Sequence, residues 1–236
     1  MSPTAQAFAT SGCAVIDRLL DPQTVAALRD ACEPLLADGP GSQPGVRRVL
    51  DRNPVLADII RSSPIPTLAR TVVGSGVRVV RSILFDKTAS TNWLVPWHQD
   101  AAIAVRHRVE ADGFGPWSIK QGEPHCRPPR EILDSIVVIR VHLDAVDGSN
   151  GPLRIVPNSH RQGLLESSEI SRLVSAVGFV ECHTDAGGIV LLHPHSVHSS
   201  PRATHPARRR VLHLECTRAE LPDGLQWAEG FPLDGP

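Results

Sequence analysis

A chain of 236 residues, 41% hydrophobic and 21% charged, is long enough for one large domain with a real core. Its 24 basic residues against 25 acidic ones leave a formal charge of -1, which gives no electrostatic case for nucleic acid or an anionic membrane as partner. No apolar stretch reaches membrane-spanning length, no basic-then-apolar leader opens the chain, and Cys13, Cys32, Cys126, Cys182 and Cys216 form no C-x-x-C, so a cytoplasmic protein with reduced thiols is expected.

The first periodic segment is helical. Val25, Leu28, Cys32, Leu35 and Leu36 recur at helical spacing, with Asp21 placed to cap and Pro22 to open the helix. The spacing predicts a helix over 22–37, stopped by Asp38-Gly39-Pro40, and a loop from Gly39 to Gly45. Two shorter helices are expected over 54–61 and 65–73. From Gly76 the period changes. Strands are predicted over 76–86, 93–100, 136–143, 153–156, 178–182, 188–193 and 209–216, with a turn at Asp147-Gly148-Ser149-Asn150-Gly151. Residues 106–131 are polar and rich in Pro and Gly. A connection of that length is expected to be an active-site lid. The 21 prolines also favour strands and turns over a helical bundle. The expected architecture is a single mainly β domain with flanking helices, a jelly roll or cupin-like barrel. A helical cap would cover 1–75 and the barrel core 76–216.

The motif that carries chemistry is His98-Gln99-Asp100 at the end of a predicted strand. Alternate residues of a strand share a face, so His98 and Asp100 can aim an imidazole and a carboxylate at one point. That is two thirds of the two-histidine, one-carboxylate set of non-haem Fe(II) oxygenases, which leaves a coordination face open for a bidentate cosubstrate and for dioxygen. The second half holds a dense histidine cluster, His193, His195, His198, His205 and His213, as the source of a third ligand. Arg209 follows His198 in the run Arg208-Arg209-Arg210 that opens the last apolar strand. A guanidinium there can clamp the far carboxylate of 2-oxoglutarate, and Ser200 can add a hydroxyl. By strand alternation Arg209 shares a face with Val211 and His213, and Arg208 and Arg210 share the other. Each feature alone is commonplace: H-x-D is often a surface pair, and a triple arginine is usually a solvated face. Their order along one β framework favours the metal reading.

Phe8 to Ile16 before the Asp21 helix, Trp97-His98-Gln99-Asp100, Asn150-Gly151-Pro152-Leu153 running to Pro157-Asn158-Ser159-His160, and His198-Ser199-Ser200 with Arg209 resemble the phytanoyl-CoA dioxygenase (PhyH-like) family over nearly the whole chain. Asn158 stands where that family usually has Gly. The resemblance implies a double-stranded β-helix that uses Fe(II), 2-oxoglutarate and dioxygen. It also implies His98, Asp100 and His198 as ligands, with Ser200 and Arg209 on the distal carboxylate. Related halogenases replace the carboxylate ligand by a small residue, so Asp100 favours hydroxylation.

Gln99 and Arg140 are further candidates for the cosubstrate. Lys87, Trp93, Trp117 and His142 are candidates for contact with a small-molecule substrate, for instance a natural-product intermediate. Arg140 and His142 alternate on one face of their strand, as residues facing a polar cavity would. The competing expectations are a cupin-like divalent-metal isomerase or hydrolase, and a non-catalytic binding member of the family.

Overall fold

The computed structural model describes residues 2–37, 45–205, 208–222 and 224–233. The expected helix stop at 38–40 and the loop after it, up to residue 44, lie outside the described residues.

Two antiparallel sheets form the body. The larger has the order β1 (Cys13–Ile16), β11 (Ile189–Leu192), β8 (Val137–His142), β13 (Arg209–Thr217), β3 (Arg78–Lys87) and β14 (Phe231–Pro232), with β2 (Val46–Arg47) also paired to β3. The smaller has the order β10 (Val180–Cys182), β9 (Leu153–Ile155), β12 (His198–Ser200) and β4 (Val95–His98). A third joins β5 (Ile103–Ala104) to β7 (Glu123–Cys126) and β6 (Trp117–Lys120). The β6–β7 hairpin, 117–126, lies within the segment expected to be an irregular lid.

The large sheet separates two kinds of environment. On its outer face Ile139, Val141, Leu212, Leu214, Ile189 and Leu191 pack against α2 (Pro22–Ala37), α4 (Pro54–Ser62) and α5 (Ile65–Val73). Asp21 caps α2 as expected: its Oδ1 accepts the N–H groups of Gln23 and Thr24, each at 2.9 Å. On the inner face Val138, Val190 and Leu192 meet Leu153, Ile155 and Cys182 of the small sheet. Polar residues occupy the rest of that face.

Several elements lie outside the sequence-based expectation. The cap region is not purely helical, because β1 and β2 leave it to join the large sheet. His198 lies in β12, where a loop was expected. α1 (Pro3–Ser11), α3 (Val49–Arg52), α6 (Arg130–Asp134) and α7 (Ser167–Val177) were not foreseen. α7 offers only one fully buried apolar residue, Ile170, so its periodicity is thin. Its start is nevertheless marked by a reciprocal capping box between Glu166 and Glu169. Together with Trp97, Val156 and Val197 it backs the strand that carries His98.

The C-terminal segment is pinned to β3 by a buried carboxyl. Glu229 accepts the Ser82 N–H at 2.6 Å and also the Ser82 hydroxyl. Burial raises its pKa to about 7 in spite of these bonds. Its folded pKa stands above the free-carboxyl value. The stability it contributes is therefore complete below that free value and is lost as pH rises through about 7. Glu229→Gln removes this titration. Chemical unfolding at pH 5 and pH 8 should show the native chain losing on the order of 1–3 kcal/mol relative to Glu229→Gln.

Candidate metal centre

His98 and His198 face each other as Cα partners across β4 and β12, with ring centroids 4.2 Å apart. Each ring is oriented the same way. His98 Nδ1 lies 2.9 Å from the Pro96 carbonyl, and His198 Nδ1 lies 2.8 Å from the Ser196 carbonyl. A carbonyl only accepts, so each Nδ1 carries the proton and each Nε2 presents a lone pair. The Asp100 N–H donates to the Pro194 carbonyl at 2.9 Å. Its carboxylate then stands between the rings, Oδ1 at 3.7 Å from His98 Nε2 and Oδ2 at 3.7 Å from His198 Nε2. The three ligand atoms lie within 4.8 Å of one another, and Asp100 is only partly exposed.

The electrostatics suit a cation. Burial alone would raise the Asp100 pKa. His198, His98, His213 and Arg81 more than offset it and hold the carboxyl well below the usual range. Burial pushes His198 down to about 4, which keeps its ring neutral at neutral pH. Neutral imidazoles and one carboxylate form a fitting donor set for Fe(II).

Gln99 points the other way. Its Nε2 donates to the carbonyls of Gly163 at 2.7 Å and His195 at 2.6 Å, and its Oε1 accepts the Leu165 N–H at 2.8 Å. The residue expected to reach the cosubstrate is thus fully used in fastening two loops to β4.

The triad opens on a cavity whose wall also includes Phe85, Trp93, Arg140, Ser200, Arg209 and His213. Register explains the set. On the inner face of the large sheet Arg209 lies opposite Lys87, Val211 opposite Phe85 and His142, and His213 opposite Ile83 and Arg140. Arg208 and Arg210 point to the outer face, where they pair with Glu33, Asp86 and Asp144. The alternation expected for the three arginines therefore holds, and only Arg209 meets the cavity.

At this end of the cavity positive charge is concentrated. Lys87 is buried, and its Nζ donates to Ser200 Oγ at 3.0 Å and to the Pro201 carbonyl at 2.7 Å. Arg209 donates to the Gly151 carbonyl, and Arg140 Nη1 meets His213 Nδ1 at 3.1 Å. Among the described residues none of the three cations forms an ion pair. The Nε atoms of Arg140 and Arg209 are buried without a hydrogen-bond partner. Burial, then the fields of Arg209, Arg140 and Arg202, lower the Lys87 pKa to about 7. Burial, then Arg140, lowers that of Arg209 to about 9. Such a group of cations is short of an anion.

Placement modifies four other expectations. Lys87, expected at the substrate mouth, belongs to the Ser200–Arg209 end. Trp93 does line the cavity, with its ring 5.4 Å from Lys87 Nζ. His142 is fully buried beneath the cavity, and neither ring nitrogen has a partner. Trp117 is outside the cavity wall and packs into the inter-sheet core, with Arg108 over its ring at 5.6 Å. His213, noted in the sequence on the face of Arg209, lines the cavity, and Gly151 beside it was missed. His213 sits edge-on to Phe85 with centroids 5.7 Å apart. Gly151 accepts from both Arg209 and Ser200. Its φ of +76° is a left-handed conformation, and an added Cβ would stand 2.6 Å from the Pro201 carbonyl oxygen. The Asn-Gly pair in the predicted turn is the signal that could have found it.

A second group, Asp134, His193 and His195, has the same composition. Its protons are arranged differently. The His195 N–H donates to His193 Nδ1 at 3.1 Å, so the neutral His193 ring keeps its proton on Nε2, the atom that faces Asp134 at 3.7 Å. His195 Nδ1 lies 3.1 Å from the same carboxylate. This arrangement presents donors to a carboxylate, in contrast to the lone pairs of the first triad.

A jelly roll with this triad and cavity is the arrangement of a Fe(II)- and 2-oxoglutarate-dependent oxygenase. The chain belongs to the phytanoyl-CoA dioxygenase (PhyH) family, which matches residues 8–211. It is 26% identical over 212 residues to an L-proline trans-4-hydroxylase of Streptomyces griseoviridis, spanning 79% of this chain and 71% of that one. Its fold matches EctD from S. alaskensis, crystallised with 2-oxoglutarate and 5-hydroxyectoine, at a TM-score of 0.70 and 21% identity over 92% of this chain and 76% of that chain. HygX from Streptomyces hygroscopicus, with nickel and 2-oxoglutarate bound, matches at a TM-score of 0.67 and 18% identity over 92% and 86% of the two chains.

The two His–Asp groups differ in what they should bind. In calorimetric titrations with Mn(II), His98→Ala and Asp100→Ala should each weaken affinity more than about ten-fold. His193→Ala should leave it within about two-fold, a change small enough to count as no lost ligand.

Proposed function

We propose that this protein binds Fe(II) through His98, Asp100 and His198 and 2-oxoglutarate in the adjoining cavity, and hydroxylates an unactivated C–H bond of a small molecule. The observation that carries the reading is the buried cluster of Lys87, Arg140 and Arg209, none of them in an ion pair among the described residues, beside a three-point metal site. A dicarboxylate supplies the charge this cluster lacks.

Each residue has a defined task. Arg209 and Ser200 receive the distal carboxylate, with Lys87 behind them. Lys87 donates to Ser200 Oγ, and the Gly151 carbonyl holds both the Ser200 hydroxyl and Arg209 until a carboxylate takes its place as acceptor. Arg140, held by His213, lies between that end and the metal ligands. The Pro96 and Ser196 carbonyls keep Nε2 of both histidines free of protons, and the Pro194 carbonyl fixes Asp100. Phe85, Trp93 and Leu153 give the cavity apolar walls that exclude water. Bound iron with 2-oxoglutarate supplies the oxidising power from dioxygen, with succinate and carbon dioxide as coproducts. Retention of Asp100 leaves no vacated ligand position for a halide, which favours hydroxylation.

A cupin-like metal protein acting without 2-oxoglutarate would have no use for three unpaired buried cations, and a non-catalytic member would have no use for the proton arrangement around the triad. The five cysteines are free thiols, and among the described residues no helix is long and apolar enough to cross a membrane. The free thiols support a place in a reducing compartment such as the cytoplasm.

Succinate release from 2-oxoglutarate under oxygen tests the assignment. His98→Ala and Asp100→Ala should abolish it. Arg209→Ala should raise the 2-oxoglutarate requirement about ten- to hundred-fold, as for loss of a charge-assisted bond. Arg208→Ala, on the outer face, should not. Full succinate release by both triad variants would sink the assignment.

A further inference from the structure

On one side of the sandwich each sheet ends on a short strand. Among the described residues β1 ends the large sheet and β10 ends the small one. Cys13 of β1 is the Cα partner of Leu192, and Cys182 of β10 is the Cα partner of Leu153. Leu192, Leu153 and Cys182 belong to one inter-sheet core, and Cys13 packs against it. The two cysteines therefore meet across the gap between the sheets, and their thiols share a hydrogen bond. Cys182 is buried, whereas Cys13 is half-exposed.

The two thiols are unequal. The hydrogen bond from Cys182 lowers the Cys13 pKa to about 7, outweighing burial, and the Ser11 hydroxyl adds to the effect. The same bond, together with burial, pushes the Cys182 thiol far up. A thiolate within reach of solvent is the nucleophilic form, and a protonated thiol beside it can resolve its oxidised product. The other three cysteines differ. Cys32, Cys126 and Cys216 are all buried. Burial pushes Cys32 up to about 12 and Cys126 up to about 11, and it raises Cys216 as well.

The place of the pair gives a bond between them a mechanical effect. Each strand has a single neighbour in its sheet, β11 for β1 and β9 for β10. A covalent link would add a second hold to both. β1 also supports the loop behind the metal ligands. The Gly12 carbonyl, next to Cys13, accepts the His193 N–H at 2.9 Å and the Ser196 hydroxyl at 3.0 Å. A cysteine pair that served only as packing would need neither the exposure of Cys13 nor its lowered pKa.

We propose that Cys13 and Cys182 are a modification site, oxidised by hydrogen peroxide to a disulfide that staples the two sheets together. In the first step the Cys13 thiolate attacks one peroxide oxygen and the O–O bond breaks. The other oxygen takes a proton from solvent and leaves as water, and Cys13 becomes a sulfenic acid. In the second step the Cys182 sulfur attacks the Cys13 sulfur and the S–O bond breaks. The departing hydroxyl takes the Cys182 proton and leaves as water. The two thiols lose two electrons, and the peroxide is reduced to water.

The test is to treat the full chain with hydrogen peroxide, alkylate the remaining thiols, and map the unreduced digest by mass spectrometry. A peptide linking Cys13 to Cys182 should appear, with Cys32, Cys126 and Cys216 oxidised at least about ten-fold more slowly. Cys182→Ser should stop at a Cys13 sulfenic acid that dimedone traps, and Cys13→Ser should leave Cys182 reduced. The oxidised native chain should unfold at a urea midpoint at least about 0.5 M above that of the same sample after reduction, as for a link that closes a long loop. Neither variant should show that shift. The site is overturned if no such link forms, or if the three buried cysteines oxidise as fast as Cys13. A link that forms but leaves the native midpoint unchanged overturns the staple.

Discussion

Uncompensated positive charge between two sheets is the constraint around which this molecule is organised. Among the described residues Lys87, Arg140 and Arg209 form no ion pair and hydrogen-bond only to carbonyls, a hydroxyl and a histidine. Such an arrangement is tolerable only on a rigid frame, because relaxation would let the cations retreat to water. The frame is the outer face of the same strands. There Arg208 and Arg210 are paired with acids and an apolar core seals the sheet to α2, α4 and α5. One strand, β13, thus alternates between a satisfied exterior and an unsatisfied interior.

The metal triad depends on a second device, the placement of protons. Two histidines on paired strands each have Nδ1 held by the carbonyl two residues earlier, so both lone pairs converge. The group formed by Asp134, His193 and His195 shows that composition alone does not suffice, since a single backbone N–H on His193 turns a potential ligand into a donor. Gln99 is part of the same device. By tying Gly163, Leu165 and His195 to the end of β4, it keeps His98 and Asp100 in place from behind.

Together these features divide the inner face of the large sheet into successive zones. A cationic end matches a dicarboxylate, a middle zone holds His213 and Arg140 beside the metal ligands, and a charge-balanced end pairs Arg81 with Glu215 and Arg47 with Glu123. The apolar rings of Phe85 and Trp93 separate the first zone from solvent.

The sequence by itself determined the elements with strong local signals. Helix 22–37 was legible from its period and its cap, the long strands from their β-branched runs, and the chemistry from the order of His98, Asp100, His198 and Arg209. The alternation that singles out Arg209 was legible too, because strand period is a local property. Short elements were not: β1, β2, β12 and the hairpin of 117–126 contain too few residues to show a period, and their strand character comes from the partner they pair with. Only the tertiary structure decided that Lys87 sits with Ser200, that Gln99 faces away, that His142 is buried, and that Glu215 and Arg81 meet. These facts depend on register between strands distant in the chain, and register is set by the packing of the whole fold.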